Sequence, residues 1–241
     1  MANPIDPRLT GVNAATVGVP RAARDVGLRS YMLSVYNYMA SGVLLTGIVA
    51  MLFANSGLAA QVMATPLRWL IVLAPLGFVM VMSFGMNRLS TGALQALFWS
   101  FAVAMGLSMS TIFLVYTGVS IAQTFFAVAA AFMGLSLYGY TTKKDLSGFG
   151  TFLIMGVVGL LVAMVINMFL RSPAMQLAIS AIGVLIFAGL TAYDTQKIKS
   201  MYAHVAGTDM IGKAAIMGAL TLYLDFINMF QFMLSFMGNR R

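Results

Sequence analysis

Seven apolar segments constrain this chain more than any other feature. Each is close to the ~20 residues that an α-helix needs to cross a ~30 Å hydrocarbon core. Turn-forming residues separate them, and Pro173 stands at the first turn of the sixth. We therefore predict an all-α membrane protein with a seven-helix transmembrane domain over residues 31–238. The segments cover residues 31–54, 67–88, 93–116, 119–140, 150–170, 174–197 and 214–237.

The composition excludes a soluble protein. Of the 241 residues, 61% are hydrophobic and only 8% are charged, whereas soluble domains carry about 25% charged residues. A net charge of +8 would suggest nucleic-acid binding in a soluble protein. Here the basic residues lie at the helix ends, so the predicted partner is the lipid bilayer and not nucleic acid.

The basic residues also predict the orientation. We expect residues 1–30 to form a mobile, basic cytoplasmic tail and residues 239–241 a basic C-terminus. With the N-terminus inside, ten Lys and Arg lie in cytoplasmic segments and four lie outside, which accounts for all 14. Because cytoplasmic segments are enriched in Lys and Arg, this predicts the N-terminus inside and the C-terminus outside, although Arg240 and Arg241 argue weakly against it.

Small residues repeat at four-residue spacing on three of the predicted helices. Such stripes allow two helix backbones to approach closely, although Gly and Ala are also common in membrane helices. The stripes comprise Ala102, Gly106 and Ser110; Ala127 with Ala131 and Ala130 with Gly134; and Gly159 with Ala163.

Two aspartates lie in or at the edge of the apolar segments. The six acidic residues are all Asp, and only Asp194 and Asp225 fall there. A charge in hydrocarbon costs a few kcal/mol, which favours a partner or a function. On a helix, Asp225 shares one stripe with Gly218, Thr221 and Asn228. The alternative is a protonated carboxyl group that hydrogen-bonds to a neighbouring helix.

Asp194 lies nearer to the predicted membrane edge. It shares a helix face with Thr191 and Lys197, so a local Asp–Lys pair at the interface is the alternative to a functional role. The relative depth of the two aspartates is left open. Arg88, at the end of the second segment, is expected either to extend to lipid headgroups or to bind a carboxylate in bidentate fashion.

Several enzyme classes are excluded by their missing motifs. The sequence Tyr193-Asp194 is found in intramembrane aspartyl proteases, but their second motif, Gly-x-Gly-Asp, is absent. There is no phosphate-binding loop and no cluster of zinc ligands. We therefore predict no enzymatic activity, no catalytic residue and no tightly bound cofactor.

Three motifs resemble the signatures of one family. Ala192–Ile198 and Gly218–Asn228 are similar to the two aspartate motifs of the Bax inhibitor-1 family, and Gly139–Ser147 is similar to its segment between the fourth and fifth helices. The resemblance covers residues 25–238, and the type of sequence suggests a bacterial inner-membrane member.

The resemblance implies a bundle in which six helices surround the last one. It also implies that Asp194 and Asp225 form a hydrogen-bonded pair that senses pH, with Arg88 as the candidate latch. Members are described as calcium leak channels or as regulators of cell death and membrane stress. Some bacterial relatives are linked to a membrane-bound protease, which makes such a protease a candidate partner.

The repulsion expected between two neighbouring carboxylates is consistent with a pH-sensitive channel. Two carboxylates a few Å apart do not both ionise readily, and repulsion between two charged groups would open their contact and leave oxygen ligands for Ca²⁺. We thus predict a pH-sensitive calcium leak channel, gated by Asp194 and Asp225, which would also bind the permeant ion transiently. Thr191, Thr221 and Asn228 are the predicted supporting polar residues. The alternative is a non-conducting protein that modulates a membrane protease or a stress response.

Overall fold

A computed structural model describes the backbone of residues 21–240 and the side chains of residues 25–240. Within this range the chain forms seven long helices and one short one, α2. In chain order, the helices are α1 (Arg21–Asn55), α2 (Leu58–Met63), α3 (Leu67–Gly85), α4 (Thr91–Val115), α5 (Gly118–Thr141), α6 (Ser147–Leu170), α7 (Pro173–Val205) and α8 (Met210–Met237).

The seven long helices confirm the predicted fold class. In the described part of the chain, each of the seven is long and apolar enough to cross a membrane. Within the described residues, the first helix begins at Arg21, ten residues before the predicted start. Residues 21–30 therefore extend α1, because Arg and Ala favour helix even where the chain is polar. The mobility of the predicted tail stays a prediction. Residues 1–20 of the predicted tail lie outside the described residues, as does Arg241.

The connection between the last two helices is shorter than predicted. The sequence indicates a loop over residues 198–213, but α7 continues to Val205 and α8 begins at Met210. Lys197, Lys199 and His204 are polar, but they still fit on a helix that projects beyond the hydrocarbon. The predicted helix ended where the apolar run ends. That point marks the edge of the membrane, but the helix continues beyond it.

The last helix is more buried than the others in the described part of the chain. Of the seven spanning helices, α8 is the most buried, and it packs against α1, α4, α5 and α7. The main contacts of α3 are with α4, and those of α6 are with α7. Direct packing of α3 and α6 against α8 stays a prediction.

The small-residue stripes divide into two groups. Ala102, Gly106 and Ser110 are buried, and Gly106 lies against Thr46 and Val49 of α1, so this stripe is a helix contact as predicted. The Ala and Gly residues proposed on α5 are exposed instead. Spacing alone cannot tell which face of an apolar helix meets protein, because lipid and protein interiors are equally apolar.

The C-terminal residues close the end of the bundle opposite to the start of α1. The backbone N–H of Asn239 donates to Ser120 Oγ at 2.9 Å, and the N–H of Thr117 donates to the carbonyl of Asn239 at 3.1 Å. The guanidinium of Arg240 lies 6.0 Å from the ring centroid of Tyr116. The predicted basic C-terminus is therefore held, through residue 240, against the connection between α4 and α5.

Candidate functional site: an aspartate pair

The structure places the two intramembrane aspartates close to each other. Asp194 lies on α7 and Asp225 on α8, near enough for their carboxyl groups to act on one another. The two residues are only 9% and 4% exposed, and Oδ2 of Asp225 is buried without a hydrogen-bond partner among the described residues. Since a hydrogen bond between two carboxyl groups requires a proton on one of them, only a pair that holds a proton can form one.

The proximity of the two aspartates depends on the register of two antiparallel helices. At one end of the α7–α8 hairpin, Ser180 Oγ donates to Ser235 Oγ at 3.1 Å, and the rings of Phe187 and Phe232 stack with centroids 5.8 Å apart. At the other end, Gly218 packs on Ile198 so closely that a Cβ at 218 would lie 3.1 Å from Ile198 Cγ2. This register decides the relative depth that the sequence left open.

Lys197 is the cation that lies beside Asp194. It follows Asp194 by three residues on α7 and lines the same cavity. Arg88 is exposed in the turn between α3 and α4, and it is not among the described residues that line this cavity. The structure thus does not bring the predicted latch to the pair, and a latching role for Arg88 stays a prediction.

A cavity of about 160 Å³ adjoins the pair. Its lining includes Tyr31, Asp194, Lys197, Met201 and Thr221, of which Lys197 and Met201 are exposed at the protein surface. The hydroxyl of Tyr31 is buried without a hydrogen-bond partner among the described residues. Most of the lining is apolar, but Asp194, Lys197 and Thr221 supply polar groups, and a cavity of this size has room for several water molecules beside Asp194.

The predicted supporting residues bind their own helices. Thr191 donates to the carbonyl of Phe187 at 2.8 Å, Thr221 to that of Met217 at 3.1 Å, and Asn228 to that of Leu224 at 2.8 Å. Each partner lies four residues earlier on the same helix. Of the three side chains, that of Thr221 lines the cavity, while Thr191 is completely buried.

A chain of hydroxyl groups that ends one residue after Asp194 was missed by the sequence analysis. The hydroxyl of Tyr36 on α1 lies 2.6 Å from Ser136 Oγ on α5, which lies 2.9 Å from Thr195 Oγ1 on α7. Thr195 in turn donates to the carbonyl of Thr191 at 2.7 Å. Thr195 follows Asp194 inside the motif Ala192–Ile198, which could have drawn attention to it, but nothing in the sequence indicated Tyr36 or Ser136.

Gln196 connects the same turn of α7 to the α5–α6 connection. Its Oε1 accepts from the N–H of Leu146 at 2.9 Å, and its Nε2 donates to the carbonyl of Lys144 at 2.8 Å. Two of the three motifs, Gly139–Ser147 and Ala192–Ile198, therefore meet in space. The two motifs are therefore connected by hydrogen bonds two residues after Asp194.

The pair offers few ligands for a metal ion. Among the residues that the structure describes, no group of three or more His, Cys, Asp or Glu side chains is close enough to hold a metal. Ca²⁺ takes six to eight oxygen ligands, so Asp194 and Asp225 would need water or backbone oxygens to complete a site. Transient calcium binding at the pair stays a prediction.

Comparison with known proteins gives one consistent result. Residues 28–241 match the family described as "Inhibitor of apoptosis-promoting Bax1". The chain is 48% identical over 219 residues to an uncharacterized protein of Rickettsia prowazekii, covering 90% of this chain and 92% of that one. It is 46% identical over 226 residues to the "Inner membrane protein YbhL" of Escherichia coli, covering 92% and 95%.

Proposed function

The chain belongs to the family described as "Inhibitor of apoptosis-promoting Bax1", and we propose that it is a pH-sensitive pathway for cations. The resemblance of its motifs to those of this family is what suggests a leak channel. Calcium is the proposed permeant ion. Asp194 and Asp225 are the proposed gate. The cavity beside them is the proposed entrance from the end of the bundle where α1 begins.

The proximity of the two carboxyl groups carries this proposal. While the pair holds a proton, the two groups can share a hydrogen bond that joins α7 to α8 at this level. When both groups are ionised, two like charges in a poorly solvated site repel each other strongly. The packing of α7 against α8 then depends on pH, and so does any pathway that runs between them.

In this proposal the structure represents the closed state. Beyond Asp225, the buried residues of α8 that follow are apolar: Phe226, Ile227, Met229 and Phe230. A hydrated cation does not cross such a layer, because its oxygen ligands would be lost without replacement. Opening therefore requires α8 to move relative to its neighbours, and the aspartate pair lies at the inner end of that apolar layer.

We also propose a bacterial inner-membrane location, with the start of α1 on the cytoplasmic side. The Escherichia coli relative is called an inner membrane protein. The ten-to-four distribution of Lys and Arg favours this orientation. The entrance cavity would then face the cytoplasm.

Calcium flux into liposomes tests the function. Purified protein is reconstituted with an enclosed calcium dye, and the leak is measured between about pH 5 and pH 8. We expect a leak that changes with pH in the unmodified protein and that is nearly independent of pH in Asp194→Asn. The matched control is Asp145→Asn: hydrogen bonds from Ser147 lower the pKa of Asp145, which keeps it ionised over this range, so the leak of this variant should follow that of the parent.

A reconstituted, folded protein that conducts no calcium at any pH would contradict the proposal. The non-conducting alternative, a modulator of a membrane protease or of a stress response, would then take its place. A leak that occurs but keeps its pH profile in Asp194→Asn would contradict the gate alone.

A further inference from the structure

A groove opens towards the lipid between α1 and α5, at the end of the bundle where α1 begins. Its volume is about 530 Å³. The walls are largely apolar and include Leu33 on α1 with Phe132, Met133 and Leu137 on α5. The hydrogen bond between Tyr36 and Ser136 connects α1 and α5 at the floor of the groove. The groove therefore lies between two helices that are held together, and it is not a gap between unconnected helices.

The charge of the groove is positive at its outer end. Arg29 is the one charged side chain among the described lining residues, and it is exposed. Tyr140 lines the same end, one residue before α5 ends at Thr141. Behind it, the ammonium of Lys199 donates to the carbonyl of Tyr140 at 2.6 Å and lies 4.8 Å from the centroid of its ring. An aromatic residue flanked by cations at a helix end is typical of the membrane interface.

We propose that this groove binds one anionic phospholipid, with the phosphate at Arg29 and an acyl chain along the walls of α1 and α5. The guanidinium of Arg binds phosphate with two parallel hydrogen bonds. The apolar walls below it suit a hydrocarbon chain, whereas a free anion would use only the charged end. An anionic lipid satisfies both parts of the groove at once.

The floor of the groove leads towards the aspartate pair. Ser136 hydrogen-bonds both to Tyr36 and to Thr195, and Thr195 is the residue after Asp194. A lipid that moves α1 relative to α5 would therefore act on the same turn of α7. The lipid site itself does not depend on the proposed leak, because a non-conducting membrane protein can hold the same lipid.

Native mass spectrometry of the delipidated full chain tests the site. Phosphatidylglycerol, phosphatidylcholine and inorganic phosphate are added separately, and the bound fraction is measured. We expect one tightly bound phosphatidylglycerol and roughly fivefold weaker binding of phosphatidylcholine, since one Arg near the surface attracts an anionic lipid to about that extent. Inorganic phosphate should neither bind tightly nor displace the lipid.

Paired variants locate the bound lipid. Arg29→Ala should lose most of the preference for the anionic lipid, and Arg29→Lys should keep part of it. The control is Arg68→Ala, which removes an exposed cation from the opposite end of the bundle. Met133→Trp should fill the groove and reduce lipid binding, whereas Met155→Trp changes an equally exposed Met on α6 and should not.

Three outcomes would overturn the inference. The first is equal retention of phosphatidylglycerol and phosphatidylcholine. The second is unchanged retention of phosphatidylglycerol in both Arg29→Ala and Met133→Trp. The third is displacement of the lipid by inorganic phosphate, which would indicate a simple anion site. Circular dichroism of each variant verifies that a loss of binding does not come from a loss of fold.

Discussion

The hydroxyl groups of Thr46 on α1 and Tyr223 on α8 lie 2.7 Å apart, in a part of the bundle where both residues are almost completely buried. Thr46 also donates to the carbonyl of Ala102 on α4 at 2.8 Å. Because its single proton is used there, Tyr223 must be the donor to Thr46. These hydrogen bonds thus connect α8, two residues before Asp225, to α1 and α4.

The first prediction concerns the stability contributed by this contact. Tyr223→Phe removes the donor and should lower the free energy of unfolding by about 1 kcal/mol. Thr46→Val should cost more, since it leaves the buried hydroxyl of Tyr223 without a partner. The measurement is unfolding in detergent, with Tyr138→Phe as the control on the half-exposed face of α5. Equal stability of Tyr223→Phe and Tyr138→Phe would show that the contact contributes nothing.

The second prediction is that Asp194 and Asp225 act on the leak as one unit. Asn has nearly the shape of Asp but does not ionise. Asp194→Asn and Asp225→Asn should each remove most of the pH dependence of calcium flux, and the double variant should differ little from either. Independent effects that add in the double variant would mean that the two carboxyl groups are not coupled.

The third prediction distinguishes two cations. Lys197 follows Asp194 by three residues and lines the same cavity, and a nearby positive charge favours an ionised carboxylate. Lys197→Gln should therefore move the midpoint of the pH profile of calcium flux to higher pH. Arg88→Ala should leave that midpoint in place, because Arg88 is exposed and is not among the described residues that line this cavity. If Arg88→Ala shifts the midpoint and Lys197→Gln does not, Arg88 is the latch that the sequence suggested.

The fourth prediction compares two glycines on α5. A Cβ at Gly139 would collide with the backbone carbonyl of Ala192 on α7, whereas a Cβ at Gly134 would meet nothing within 4 Å. Gly139→Ala should therefore destabilise the protein by roughly 1–3 kcal/mol. Gly134→Ala should be neutral or stabilising by up to about 1 kcal/mol. The free energies of unfolding of the two variants, measured side by side in detergent, verify or refute this difference.

The fifth prediction concerns orientation. With an odd number of spanning helices and a cytoplasmic start of α1, a reporter fused after residue 241 should be active only outside the cytoplasm. A periplasm-specific and a cytoplasm-specific reporter at the same position form a matched pair of measurements. Activity of the cytoplasmic reporter, with the seven spans intact, would reverse the assignment and move the cavity beside Asp194 to the other side.

The sequence by itself determined the class of fold and the number of spans. Apolar runs of about 20 residues have one stable structure in hydrocarbon, because a helix satisfies all its backbone hydrogen bonds within the segment. It also singled out Asp194 and Asp225, since a carboxyl group in an apolar run is costly wherever the helix packs. These conclusions follow from local composition and need no knowledge of neighbours.

Only the tertiary structure decided which groups meet. The proximity of Asp194 and Asp225 depends on the register of α7 against α8, which is set in part by the close approach at Gly218. The links of Tyr36 to Ser136 and of Ser136 to Thr195 join helices that are far apart in the chain. In a membrane, apolar side chains do not distinguish lipid from protein, so hydropathy alone could not show that the stripe at Gly106 is buried and that at Gly134 is exposed.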